Sequence, residues 1–155
     1  MRSPKRQRGL AMVELVMTAP ILLLLLFATV AFGEFLIDYS ALNDGVRNAA
    51  RYVSGAANNG TDGTLVAVGG AVWTGLVTNA KNLAVYGNVN GTGTAILPGL
   101  GVGQITVSQD TANDAIIVSA SYPYTSLFGA SMPNFMGGTI STNFNLQIST
   151  TMKAL

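Results

Sequence analysis

From Leu15 to Gly33 the chain is apolar at nearly every position, and these 19 residues carry no charge. Unbroken hydrophobicity over that length predicts a membrane helix. As a helix the run rises roughly 28 Å, against a hydrocarbon core of ~30 Å. Beyond it the pattern turns periodic. Leu42, Val46, Ala49, Ala50 and Val53 recur at helical spacing, while Asp38, Asn43, Asp44, Arg47, Asn48 and Arg51 fall mainly on other faces. One helix from Leu10 to Gly55, roughly 70 Å long, follows from the two patterns. Its first half belongs in lipid and its second half on a water-facing domain, with Gly55 as the expected cap. Pro20 lies inside the apolar run. It lacks a backbone N–H, so a bend is expected there, of the kind membrane helices tolerate.

The pattern then changes again. Gly55–Gly63 reads as a loop. Thr64 to about Ala84 is expected to form a second helix, with Leu65, Val68, Val72, Leu76, Ala80 and Leu83 near helical spacing. Gly69, Gly70 and Gly75 weaken it, each by ~1 kcal/mol against Ala. Tyr86–Gly103 is glycine-rich and reads as irregular connection with room for one short strand. Gln104–Gln109 alternates around Ile105 and Val107. Asp114–Tyr122 puts Ile116, Val118, Ala120 and Tyr122 on one face, and Thr111-Ala112-Asn113 supplies a hairpin turn. Thr139–Lys153 alternates almost perfectly, with Ile140, Thr142, Phe144, Leu146, Ile148, Thr150 and Met152 on one side. The expected fold is α+β: a long N-terminal helix whose apolar stripe covers the buried face of a small antiparallel sheet, plus a second helix.

Charge sharpens this picture. The chain has 155 residues, 10% charged, with a net charge of +1. Arg2, Lys5, Arg6 and Arg8 concentrate half of its eight basic residues before Gly9. By the positive-inside rule the N-terminus is expected in the cytoplasm and the chain beyond about Ile37 outside. Without that leader, four basic residues face seven acidic ones, a balance of −3, which argues against a nucleic-acid surface. The chain has no cysteine and no histidine. This excludes the usual zinc sites and the Ser-His-Asp and Cys-His triads. No carboxylate pair has convincing acid/base spacing, so neither catalysis nor a cofactor or metal is expected. Gly99-Leu100-Gly101-Val102-Gly103 lacks the strand-then-helix context of a nucleotide loop and reads as a flexible lead-in to a strand. Asn58–Gly63 has one carboxylate and no terminal glutamate, so turn chemistry fits it better than calcium.

Glu14 is the residue that a plain anchor does not explain. A secretory signal peptide cut near Thr29-Val30-Ala31 and an uncleaved signal anchor both accommodate the apolar run. Neither gives a reason for a carboxylate in it, which costs about 2.5–3.5 kcal/mol at a bilayer centre and less near an edge. A third reading does. Arg8-Gly9-Leu10-Ala11-Met12-Val13-Glu14 resembles the processing site of type IV prepilins and pseudopilins. The resemblance implies that a prepilin peptidase removes residues 1–9 after Gly9, making Leu10 the first residue and Glu14 the fifth. It also implies that Glu14 neutralises the α-amino group of a neighbouring subunit within an apolar helix bundle.

The resemblance narrows further on Arg8-Gly9, Val13-Glu14, the polyleucine stretch, Phe32-Gly33-Glu34-Phe35 and Asn48-Ala49-Ala50-Arg51-Tyr52. These are similar to TadE-like proteins, as are Ser121-Tyr122-Pro123-Tyr124 and Ser126-Leu127-Phe128 nearer the C-terminus. That likeness implies a pilin-like minor pseudopilin that assists assembly of a Tad/Flp (tight adherence) type IV pilus. Residues 1–9 would be the leader, 10–35 the transmembrane half of the helix, and 36–155 the exported domain. The implied partners are the prepilin peptidase, the major pilin, other minor pseudopilins and the assembly platform of the bacterial inner membrane. An alternative is an uncleaved, membrane-anchored surface or adhesion module, which shares the anchor and the β-rich domain.

Overall fold

The computed structural model describes residues 5–58, 65–126, 129, 131–133 and 137–154. Helix α1 (Lys5–Ala56) is continuous for 52 residues, roughly 78 Å at ~1.5 Å per residue. It runs on through Pro20 and ends one residue beyond the expected glycine cap. Helix α2 spans Ala71–Tyr86. A single 3₁₀ turn at Val102–Gln104 leads into β1 (Ile105–Asp110). Strands β2 (Ala115–Tyr124), β3 (Ser131–Pro133), β4 (Thr139–Ser141) and β5 (Phe144–Lys153) follow. The architecture is α+β, as the patterning implied.

The main sheet has order β1-β2-β5, both pairs antiparallel. Its register puts Val107 opposite Val118, Ala120 opposite Ile148 and Tyr122 opposite Leu146. Asp114, at φ 49, turns the β1–β2 hairpin, and the Asp110 carboxylate caps it by accepting bonds from Ala112 N and Asn113 Nδ2 at 3.1 and 2.7 Å. One face of the sheet carries Ile105, Ile116, Val118, Ala120, Tyr122, Tyr124, Leu146 and Ile148, all buried. The expected stripe of α1 (Leu42, Val46, Ala49, Ala50 and Val53) is fully buried in the same core. It packs on β2 and β5, while α2 packs on β1, so two helices cover the sheet rather than one.

Five expectations change. The second helix starts at Ala71, because Gly69 takes φ 85 and Gly70 is an extended N-cap. Thr64 lies outside the described residues, and Leu65 pairs with Asn58 in an isolated bridge. The buried face of α2 is Trp73, Ala80, Ala84 and Val85, with Val77 packed beside them, whereas Val68 and Val72 are exposed. Between Gly87 and Gly101 no described residue forms a strand. The Gly99–Gly103 segment is a built plug: Leu97 and Leu100 are buried and the Gly101 N–H donates to Gln104 Oε1 at 2.8 Å. Finally, Thr139–Lys153 divides at Thr142-Asn143. β4 pairs with β3 in a separate two-stranded sheet, and Ile140 is exposed. The Asn59–Gly63 part of the loop weighed for calcium lies outside the described residues.

Gly45 sets how closely the helices approach. A Cβ there would sit 2.7 Å from the Ala84 carbonyl oxygen and 2.9 Å from Ile96 Cδ1. The same crossing is tied by Asn79 Nδ2, which donates to Tyr52 Oη at 3.1 Å.

Candidate membrane and assembly segment

The N-terminal half of α1 stands clear of the domain. Leu10, Leu15, Leu22, Leu25 and their neighbours are exposed, and no residue of the most apolar 18-residue window is buried. This helix is long and apolar enough to cross a membrane. Its hydroxyls are satisfied within the helix. Thr18 Oγ1 donates to the Glu14 carbonyl oxygen at 2.9 Å, and Thr29 Oγ1 to that of Leu25 at 2.8 Å. Such back-bonding is what a hydroxyl needs in a medium without water.

Gly9 and Leu10 both lie within α1, one turn after its start, and both are exposed. Nothing lies within 4 Å of where a Gly9 Cβ would be. Their peptide bond is therefore accessible but helical. Glu14 is exposed on the same segment, four residues on. Pro20 is also exposed and helical, and its missing N–H leaves the Val16 carbonyl without its usual partner. These residues share one segment, exposed and clear of the folded domain.

The junction between the two halves of α1 was not legible as a site. Phe35 opens the stripe that later buries Leu42 and Val46. Its ring lies 5.7 Å from that of Tyr124, edge to face, and 5.5 Å from that of Phe144. Tyr122, expected to serve packing, donates from its hydroxyl to the Pro98 carbonyl at 2.8 Å. Burial, then the negative charges of Asp38 and Glu34, raise the Tyr122 hydroxyl above its ordinary pKa of 10.0. Asp38 is itself raised from 3.8, first by burial and then by Glu34 one turn before it. Leu127 and Phe128 of the second resemblance motif lie outside the described residues.

Among the described residues there is no group of three or more His, Cys, Asp or Glu able to hold a metal. The geometry is that of a protruding apolar helix with one carboxylate near its start, joined without a break to a packed α+β domain. Residues 9–51 match the family model for TadE-like protein. The match runs from the glycine before the apolar segment to the amphipathic stripe on the domain. A TadE-like segment points to involvement in the Tad pilus system. It says nothing of residues beyond 51. No curated protein and no solved structure matches the chain.

Proposed function

We propose that the chain is a minor pseudopilin of a Tad/Flp pilus, a structural component rather than an enzyme. In this reading it inserts with its N-terminus in the cytoplasm, is cut after Gly9 by a prepilin peptidase, and joins a growing pilus or its initiating complex. The observation that carries the reading is the continuity of α1. One helix bears the TadE-like match, leaves its apolar half uncovered, and packs its other half into the exported domain. A plain anchor needs no such rigid coupling. A subunit that stacks helices does, because the domain must follow the helix into place.

Glu14 gives the chemistry. Cutting after Gly9 creates an α-amino group at Leu10, and a neighbour's Glu14 is a carboxylate of opposite charge. In an apolar bundle each neutralises the other, and leaving one unpaired costs about 3–5 kcal/mol. The major pilin, other minor pseudopilins and the inner-membrane assembly platform are the partners this reading requires. A Glu14→Gln variant should still insert and be cut, but be lost from pilus or assembly-complex fractions probed by immunoblot. Normal incorporation of that variant overturns the pairing.

A further inference from the structure

We propose that the sheet end beside the membrane helix seats an aromatic collar (Phe32, Phe35, Tyr39, Tyr124 and Phe144) in the outer interface of the bilayer. The proposal rests on α1 spanning the membrane. Tyr124 ends β2 and Phe144 begins β5, paired across the register, with ring centroids 5.1 Å apart. Both turn toward α1. The Tyr124 hydroxyl lies 3.5 Å from the Ala31 carbonyl oxygen, inside the apolar run. From Leu10 to Ala31 a helix rises roughly 32 Å, the depth of the hydrocarbon core. The strand ends therefore reach the level at which the helix leaves lipid.

The remaining rings are arranged about the same level. Phe32 stacks on Phe35 at 6.2 Å and Tyr39 lies 6.1 Å from Phe35. Phe32 is 62%, Phe144 47% and Tyr39 43% exposed. In water these open rings gain nothing. At the headgroup level they gain burial of their apolar bodies while the Tyr39 hydroxyl stays wet, the arrangement that enriches aromatic residues at membrane interfaces. Glu34 and Asp38 stand on α1 at this level and no lysine or arginine does, so zwitterionic headgroups are the chemistry that fits. The collar gives the domain a second hold on the membrane, through its sheet, beside the one that α1 supplies.

The test uses the full chain in phosphatidylcholine vesicles. Trp73, the only tryptophan, is first changed by Trp73→Phe. Phe144→Trp and, separately, Leu22→Trp then provide single probes, read against lipids brominated near the glycerol or near the chain ends. The Leu22→Trp probe should lose intensity mainly to deep bromines. The Phe144→Trp probe should emit at shorter wavelength than in water and lose intensity mainly to shallow bromines. An unquenched Phe144→Trp probe beside a quenched Leu22→Trp probe overturns the collar and leaves the span standing. Two unquenched probes overturn the span and the collar with it. Should Phe144→Trp not fold, by circular dichroism, Tyr39→Trp is judged by the same criterion.

Discussion

Gly45→Ala is the substitution that most directly tests how α1 meets α2. Helix propensity alone favours it, since alanine in a helix interior is better than glycine by roughly 0.5–1 kcal/mol. The crossing opposes it. The new Cβ would stand 2.7 Å from the Ala84 carbonyl oxygen, and that oxygen is backbone. Ile96 Cδ1, at 2.9 Å, could swing aside, but the Ala84 backbone moves only with α2. Overpacking of this kind costs about 1–3 kcal/mol. The net expectation is a loss of about 1–2 kcal/mol, or ~4–8 °C in Tm per kcal/mol for a domain of ~100 residues. Gly75→Ala is the matched control: it lies inside α2 with nothing within 4 Å of its Cβ, so propensity acts alone and stability should rise. Trp73 sits in the core on α2, so its fluorescence during urea unfolding of the detergent-solubilised chain reads both variants. If Gly45→Ala stabilises the chain as much as Gly75→Ala does, the close crossing is wrong.

Two further outcomes follow from the junction. Tyr122→Phe removes the bond to the Pro98 carbonyl and should cost about 1–2 kcal/mol in the same unfolding assay; an unchanged midpoint would show that water replaces the hydroxyl freely. Asp38 has a raised folded pKa, so the folded state binds its proton more readily than the unfolded state does. Its contribution to stability therefore increases as pH falls through the raised folded value toward 3.8, and an Asp38→Asn variant should lose that part of the pH dependence. Asp110 acts oppositely. The Asn113 amide, ahead of the Ala112 and Asn113 backbone N–H groups, holds its pKa below 3.8, so its contribution is present above that value and fades as pH falls further. A matching Asp110→Asn comparison separates the two.

The elements that could be read from the chain are those whose residue types carry period. The β2 face was legible because Ile116, Val118, Ala120 and Tyr122 recur at every second position, with Ser119 and Ser121 between the last three, and all four are buried. The α1 stripe was legible for the same reason at helical spacing. The second helix misled because two stripes compete in it. Leu65, Val68, Val72, Leu76, Ala80 and Leu83 look the more apolar, yet the core takes Trp73, Ala80 and Ala84, which fit under a closely packed helix. Gly45 carries no hydropathy signal at all, although its missing Cβ sets the crossing. The alternation of Thr139–Lys153 continues across a break, because Thr142-Asn143 carries the chain from the β3–β4 sheet to the main one. Gly9 and Glu14 were visible as a spacing within one segment. The aromatic junction was not, because it joins Phe35 to Tyr124 and Phe144 from far along the chain.

The pseudopilin reading turns on one bond, between Gly9 and Leu10. Intact-mass and N-terminal analysis of the protein purified from cells that carry the pilus system tests it most directly. A mature chain beginning at Leu10 is the expected result, and Gly9→Glu should leave the leader attached. A chain that keeps residues 1–9, or one that begins after Ala31, would contradict the processing site and the pairing role of Glu14 with it.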